Sequence, residues 1–166
     1  VLAAGIDSLD LAAPFGIRLP MVPVKGYSIT VQVANHAALP RHAMQDATRK
    51  VTLTPLGDRL RIAGTAELAG RDTRINRRRA DTLLAALPTL LPEVTWQGDP
   101  EYWSGLRPMT ADSLPILGPT HVDGLWLNTG HGSFGFTMAC GSGRVVADLI
   151  AGRPPAIDMA GLGVRT

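Results

Sequence analysis

An alternating stretch near the beginning of the chain places the strongest constraint on its fold. Between residues 27 and 33, apolar and polar side chains alternate, and the apolar positions are Tyr27, Ile29, Val31 and Val33. Because successive side chains of a β-strand point to opposite faces, this pattern predicts a strand with one buried face. A second alternation, residues 51–53 followed by residues 60–62, flanks a turn around Gly57 and predicts a hairpin. The chain is therefore expected to build an antiparallel sheet.

Helical patterns are fewer. Leucines at helical spacing predict a helix over residues 76–87, stopped by Pro88 and Pro92. Residues 137–151 predict a second helix, with Gly152 as its cap. Two short strands are predicted on either side of a turn at residues 98–100, an irregular loop up to Pro119, and a strand over residues 125–128. The fold class is therefore α+β, with a mainly antiparallel sheet, one or two packed helices, and a terminal strand–loop–helix segment.

Composition narrows the possible functions. The chain has 166 residues, of which 45% are hydrophobic and 18% charged, and this is typical of a globular protein with the length of one domain. A formal charge of only +2 argues against a nucleic-acid partner. The single Cys140, expected in the core, excludes an internal disulfide and suits a reducing compartment. No metal-ligand pattern is evident. Val1 falls within an apparent strand, without an initiator Met, so we expect a fragment.

A glycine-rich turn joins the last predicted strand to the last helix. Residues 130–135 (GHGSFG) match the dinucleotide-binding pattern G-x-G-x-x-G. That pattern requires a second buried strand ending in an acidic residue, and residues 156–159 after two prolines are a poor candidate. The free N–H groups at a helix start instead favour negative charge on a closely approaching flat ligand. The alternative is that the glycines only form a tight turn for packing. Small residues such as Gly141 and Gly143 predict close packing of the helix that follows.

Arg107 is the strongest candidate for binding a substrate. It ends an aromatic and apolar stretch and is fixed on one side by Pro108. A guanidinium in that setting offers a rigid pair of donors that suits a carboxylate. An internal ion pair with an aspartate such as Asp112 is the alternative.

Several motifs follow one another in a single order over nearly the whole chain. They are residues 3–5 (AAG), 24–29 (VKGYSI), 103–108 (WSGLRP), 114–119 (LPILGP), 127–132 (LNTGHG) and 136–143 (FTMACGSG). Together they resemble the D-amino-acid dehydrogenase small subunits, within the wider FAD-dependent group that includes D-amino-acid oxidase, glycine oxidase and sarcosine oxidase.

This resemblance implies that the chain contributes to two domains. Residues 1–18 and 109–166 are expected to belong to an FAD-binding α/β domain, and residues 19–108 to an antiparallel substrate-binding domain. Arg107 is expected to pair with the substrate carboxylate, and Tyr27 is a weaker candidate for substrate contact or a core tyrosine. Contacts to FAD are expected from Ala4, Gly5, Gly130, His131, Gly132, Ser133, Phe134, Gly135, Phe136, Thr137 and Met138.

The implied activity is oxidative deamination of a D-amino acid to a 2-oxo acid and ammonia, with electrons passed to a respiratory-chain acceptor. The expected location is the bacterial cytoplasm, with peripheral contact at the inner membrane through Arg71, Arg74 and residues 77–79, although such a run is more often a solvated face. The chain alone is expected to be inactive, to lack bound FAD and to self-associate. Alternatives are a related flavoenzyme acting on glycine, sarcosine or another secondary amine, and a non-catalytic ligand-binding or assembly module.

Overall fold

The chain forms two compact units in a computed structural model that describes residues 1–164. The central unit is the continuous segment Lys25–Leu106. The terminal unit combines Val1–Val24 with Arg107–Thr166. The assignment of these segments to an FAD-binding domain and a substrate-binding domain stays a prediction.

The predicted antiparallel sheet is present. It has five strands in the order β2-β3-β4-β1-β5, and they are β1 (Met21–Val33), β2 (Met44–Asp46), β3 (Val51–Leu56), β4 (Arg59–Glu67) and β5 (Trp96–Thr110). The predicted hairpin is confirmed, since β3 and β4 pair antiparallel with Leu56 opposite Arg59. β1 pairs antiparallel with β4 along the chain from Lys25 to Gln32.

One face of the sheet in the central unit is the core, as the alternation predicts. Tyr27, Ile29, Val31 and Val33 are each at most 1% exposed. They pack with Leu53, Leu60 and Ile62 of β3 and β4 and with Leu83 and Leu87 from the helical segment. That segment is α2 (Arg77–Ala85), capped by the Asn76 side chain, and the short α3 (Leu87–Leu90). The prediction that Pro88 stops the helix is wrong. Pro88 lies in the first turn of α3, where a missing N–H costs no hydrogen bond.

Two other sequence predictions are wrong. The expected turn at residues 98–100 lies inside the single strand β5. Gly98 adopts a left-handed φ of +71° there, and β5 is an edge strand, where the missing N–H of Pro100 is tolerated. The expected loop before Pro119 contains the strand β6 (Ile116–Pro119), which pairs antiparallel with β7 (Trp126–Thr129).

The terminal unit is built around β6, β7 and one long helix. α1 (Ser8–Ala12) follows a short 3-10 turn, and α4 (Gly135–Ile150) packs on β6 and β7. Its core contains Leu117, Val145, Val146 and Leu162. Gly152 follows the helix with a φ of +69°, as predicted for its cap. None of the helices within residues 1–164 is long and apolar enough to cross a membrane.

The core of the central unit generates a stability prediction. Leu83 is 1% exposed and packs in that core, whereas Leu68 is 81% exposed. Leu83→Ala should lower the free energy of unfolding by about 2–5 kcal/mol, because it removes buried methyl groups and leaves a cavity. Leu68→Ala, the same substitution at the surface, should change it by less than about 0.5 kcal/mol. Urea unfolding measures both, and equal losses would contradict the core assignment.

Candidate cofactor and substrate site

The glycine-rich turn lies at the end of a strand pairing. Leu2 bridges Leu127 in a parallel arrangement, and Asn128 donates its N–H to the Leu2 carbonyl at 3.0 Å. The two segments then run forward together, and the Thr129 hydroxyl donates to the Gly5 carbonyl at 3.1 Å. Parallel pairing therefore brings the predicted contacts Ala4 and Gly5 to the same edge as Gly130.

Two of the glycines are required by the turn itself. Gly130 has a φ of +78°, and a Cβ there would lie 3.1 Å from Thr110 Cγ2. Gly132 has a φ of +54°, and a Cβ there would lie 2.8 Å from Met109 Sδ. Side chains rarely adopt these φ values, and Thr110 or Met109 would have to shift to admit a Cβ. The packing interpretation thus explains these two glycines, whereas Gly135 has a helical φ of −54° and its Cβ would meet only His131 Cβ, at 3.6 Å.

Arg107 belongs to the strand that touches this turn. Met109, whose sulfur lies against Gly132, follows Arg107 by two positions in β5, so the two residues leave the strand on the same face. Arg107 is half-buried, and this burial lowers the pKa of its guanidinium, which nevertheless stays protonated at neutral pH. Both Arg107 and Asp112 have interaction partners, so an internal ion pair remains an alternative to substrate binding.

Two buried polar atoms of the turn region have no hydrogen-bond partner within residues 1–164. They are Asn128 Oδ1 and His131 Nε2. Leaving such an atom unpaired costs about 1–3 kcal/mol, so orphaned atoms mark places where a bound polar group would be stabilising. Burial also lowers the pKa of His131, which favours the neutral imidazole at pH 7. A neutral ring can donate or accept one hydrogen bond at Nε2.

The first turn of α4 offers further ligand-facing groups. No side chain of its N-cap residue, Phe134, hydrogen-bonds to the helix N–H groups. These groups carry roughly half a positive charge, which stabilises an anion or a polarised carbonyl. Phe134 is 64% exposed and Phe136 is fully exposed, while Ser133 and Thr137 are exposed and Met138 is half-buried. The helix start without a side-chain cap, the exposed aromatic rings and the orphaned polar atoms are groups of the kind that could hold the polar edge of a flavin ring, and their contact with FAD stays a prediction.

Tyr27, the second substrate candidate, lies in the central unit. Its ring is 1% exposed, and its hydroxyl donates a short hydrogen bond to Glu67 Oε2. Lys25 Nζ is 3.6 Å from the same carboxylate oxygen. The structure therefore gives Tyr27 a partner on the core side of the sheet, and its contact with a substrate stays a prediction. Sequence reasoning missed this cluster, although Lys25 is a charged residue in phase with the apolar positions of β1.

Two expectations about α4 are wrong within the described residues. Cys140 was expected in the core and is exposed. Gly141 and Gly143 were expected to allow close packing, but a Cβ at either position would meet nothing within 4 Å. The helix packs on β6 and β7 through other positions, including Val145 and Val146. The described residues contain no group of three or more His, Cys, Asp or Glu side chains that could hold a metal ion.

Comparison with known proteins identifies the class. Residues 1–149 match the DAO family, described as FAD dependent oxidoreductase. The chain is 54% identical over 164 residues to the D-amino acid dehydrogenase of Paramagnetospirillum magneticum, covering 99% of this chain and 39% of that protein. It is 52% identical to the D-amino acid dehydrogenase of Xanthobacter autotrophicus, with the same coverage. Glycine oxidase from Geobacillus kaustophilus is a similar solved structure, with a TM-score of 0.84, 29% identity and coverage of 98% of this chain and 44% of that one.

The chain belongs to the DAO family of FAD-dependent oxidoreductases. It spans about two fifths (39%) of the length of the curated relatives it matches. The resemblance inferred from the motifs and the α+β fold class are thereby confirmed. The roles of the individual site residues stay predictions.

The turn generates a prediction with a matched control. Gly132→Ala should destabilise the chain by about 1–3 kcal/mol, because Ala at a φ of +54° is strained and its Cβ meets Met109. Gly135→Ala, three positions later in a helical conformation, should be neutral or stabilising by up to about 1 kcal/mol. Chemical denaturation of both variants measures the difference, and equal effects would exclude a special role for the Gly132 conformation.

The Tyr27–Glu67–Lys25 cluster generates a pH prediction. The hydrogen bond from Tyr27, and secondarily the charges of Lys25 and Arg79, outweigh burial and hold the Glu67 pKa below the ordinary value of 4.5. Glu67 therefore contributes stability above pH 4.5 that is lost as the pH falls through its folded-state pKa. Glu67→Gln should unfold more easily at pH 7 and lose less stability on acidification than the native chain. Glu101→Gln removes a carboxylate that is 75% exposed and should retain the native slope in pH-dependent urea unfolding.

Proposed function

We propose that this chain supplies substrate-binding and cofactor-binding residues of an FAD-dependent enzyme that oxidatively deaminates D-amino acids to 2-oxo acids and ammonia. The family supports the cofactor class, and the names of the relatives at 54% and 52% identity support the substrate class. The chain spans 39% of those relatives, so the proposal concerns the whole protein.

One observation supports the proposal above the others. Arg107 and the Gly130–Gly135 turn belong to the same compact unit, and Met109, on the Arg107 face of β5, contacts Gly132. A carboxylate-binding guanidinium and a helix start with open N–H groups thus come from adjoining backbone segments. A hydride can pass only between a substrate and a flavin that lie next to each other, and binding groups on adjoining segments would bring them together.

Arg107 would bind and orient the substrate. Its two parallel donors pair with both carboxylate oxygens, which fixes the rotation of the amino acid about its carboxyl group. Partial burial strengthens this pair relative to one in open water. With the carboxylate fixed, only one enantiomer can direct its Cα–H towards the cofactor while its side chain occupies the remaining space.

When bound, FAD would accept the hydride released from the substrate Cα. The uncapped start of α4 would stabilise the negative charge that develops at the near edge of the ring. His131 would stay neutral and use Nε2 for a hydrogen bond rather than for proton abstraction. A substrate amine that binds uncharged needs no side chain as base, and water would hydrolyse the resulting imine.

The flavin spectrum provides the direct test. The flavin-loaded protein that contains this chain should bleach on anaerobic addition of D-alanine and not of L-alanine. The similarity to glycine oxidase makes glycine and sarcosine the informative competitors. Bleaching by glycine or sarcosine but not by D-alanine would instead support a flavoenzyme that acts on glycine or a secondary amine. An absence of flavin absorbance would contradict the proposal that the protein is an FAD-dependent oxidoreductase. The 166-residue chain alone is expected to be colourless.

Substitution of the arginine tests its role. Arg107→Lys keeps the charge but loses the paired geometry, so the KM for D-alanine should rise by about 10- to 100-fold. Arg78→Lys makes the same change at an exposed position on α2 and should leave KM unaltered. Steady-state kinetics with an artificial electron acceptor measures both, and an unchanged KM for Arg107→Lys would leave the ion pair with Asp112 as the role of Arg107.

The proposed electron acceptor is a component of the respiratory chain, reached at the cytoplasmic face of the inner membrane. The arginines that suggested membrane contact are not equivalent in the structure. Arg77 stacks on the Tyr102 ring at 3.6 Å, Arg74 pairs with Asp72 at 2.9 Å, and Arg79 lies 3.5 Å from Glu67. Any membrane contact would therefore use Arg78 before the others.

A further inference from the structure

A basic pocket opens between α2 and the end of β4 in the central unit. Its volume is about 460 Å³, and it is lined by Thr65, Asn76, Arg78, Arg79 and Thr82. α2 packs on the core face of the sheet through Leu83. The pocket therefore lies on the helix-covered side of the sheet, and none of its lining residues belongs to the candidate cofactor and substrate site.

A second pocket continues the first along α2. It has a volume of about 370 Å³ and shares Thr65 and Thr82 with the first pocket. Arg49 lies in its wall and pairs with Asp46 at 2.7 Å. None of the described residues that line the two pockets is acidic. The two pockets together are therefore lined by three arginines and by no carboxylate.

Arg78 provides a guanidinium with free donors. Its neighbours in sequence are engaged, since Arg77 stacks on the Tyr102 ring at 3.6 Å and Arg79 lies 3.5 Å from Glu67. Arg78 is exposed and makes no hydrogen bond or ion pair within residues 1–164. The donors of its guanidinium are therefore available to an anion.

The carboxylate beside Arg79 does not neutralise the pocket. Glu67 also lies 3.6 Å from the buried ammonium of Lys25 and accepts a hydrogen bond from Tyr27. Its single negative charge is thus shared between two cations, Lys25 and Arg79. With Arg78 added, the region around the pocket keeps an excess of positive charge.

These arginines stand where the helix itself disfavours them. The first turn of α2 contains Arg77, Arg78 and Arg79 and no acidic residue. Positive side chains there oppose the helix dipole, at about 0.3–1 kcal/mol each. Thr65, which both pockets share, adds backbone strain, because a β-branched residue with a φ of +59° is an outlier. A bound anion would offset the electrostatic cost, and local rules of this kind are broken most often at functional sites.

Asn76 adds a neutral donor to the pocket. Its side-chain oxygen accepts a hydrogen bond from the Arg79 N–H, which caps the helix. Its amide nitrogen has no hydrogen-bond partner among the described residues. The pocket therefore combines forked cationic donors with an amide donor, and this set suits the several oxygens of a phosphate group.

From this combination we infer that the pocket binds a phosphate group, with Arg78 and Arg79 pairing with its oxygens and the Asn76 amide donating a hydrogen bond. The group would belong to a soluble phosphate compound or to the headgroup of an anionic phospholipid, because both present the same oxygens. The pocket uses neither Arg107 nor the Gly130–Gly135 turn, so it is separate from the proposed oxidation.

Calorimetric titration with inorganic phosphate tests the inference. The protein that contains this chain is titrated with FAD in excess, so that sites for the phosphates of FAD are filled. Sodium chloride holds the ionic strength constant, which screens diffuse attraction equally in every sample. We expect saturable binding of phosphate, and its absence would overturn the inference.

Three substitutions that each make the net charge more negative by one locate the binding. Arg78→Gln should weaken it by about 10- to 100-fold, because a charge-assisted pair is lost. Asn76→Asp keeps a good helix cap but places a carboxylate in the pocket, so it should weaken binding without lowering the free energy of unfolding. Arg41→Gln, at an exposed position outside both pockets, should leave binding unchanged. Equal weakening by Arg41→Gln and Arg78→Gln would show a diffuse charge effect and contradict the inference.

Vesicles distinguish the two sources of the phosphate group. The same proteins are sedimented with vesicles of phosphatidylcholine, alone or mixed in equal parts with phosphatidylglycerol. Attachment to the mixed vesicles that Arg78→Gln abolishes and inorganic phosphate competes away would assign the pocket to a lipid headgroup. Phosphate binding without vesicle attachment would assign it to a soluble compound. Attachment without phosphate binding would overturn the inference, and none of these readouts depends on bleaching of the flavin by D-alanine.

Discussion

The candidate site depends on the left-handed backbone of one turn. Gly130 and Gly132 adopt φ values of +78° and +54°, and a side chain at either position would be strained and would push against Thr110 or Met109. This conformation ends β7, directs the chain into α4 and leaves room for the end of β5 against the turn. The contact between Met109, near the end of β5, and the turn before α4 therefore depends on glycine at two positions. Ordinary residues there would separate the two halves of the proposed site, whatever their own chemistry.

The fold was largely predictable where a pattern had a single physical cause. The alternation in β1 and the hairpin of β3 and β4 follow from one buried face, and Gly152 follows from the need for a left-handed helix cap. β5 was not predictable in this way. Gly98 and Pro100 are ordinary turn residues in isolation, and they continue a strand only because β5 lies at the edge of the sheet. Local sequence does not record whether a strand has one neighbour or two.

The site shows the same limit. The candidates at residues 107 and 130–138 could be named because motifs identified them, and the structure places them in one unit. Lys25 and Glu67 could not be paired from sequence, since nothing local relates two residues on different strands. The run of arginines is a similar case, because the sequence does not distinguish Arg77, Arg78 and Arg79. In the structure, Arg77 stacks on the Tyr102 ring and Arg79 pairs with Glu67, whereas Arg78 has no such partner among the residues described.

Hydrogen-bond satisfaction separates structural from ligand-facing polar groups in this molecule. The nearly buried Lys25 ammonium is bonded to the Arg74 carbonyl at 3.1 Å and lies beside Glu67, and the buried Asp148 carboxylate is bonded to Arg144 and Arg153. By contrast, Asn128 Oδ1 and His131 Nε2 at the turn are unpaired within residues 1–164. Folding satisfies buried polar groups wherever the chain itself can do so, because each one left unpaired costs about 1–3 kcal/mol. The exceptions therefore lie where a partner from outside the described chain is most stabilising, and they coincide with the proposed flavin edge.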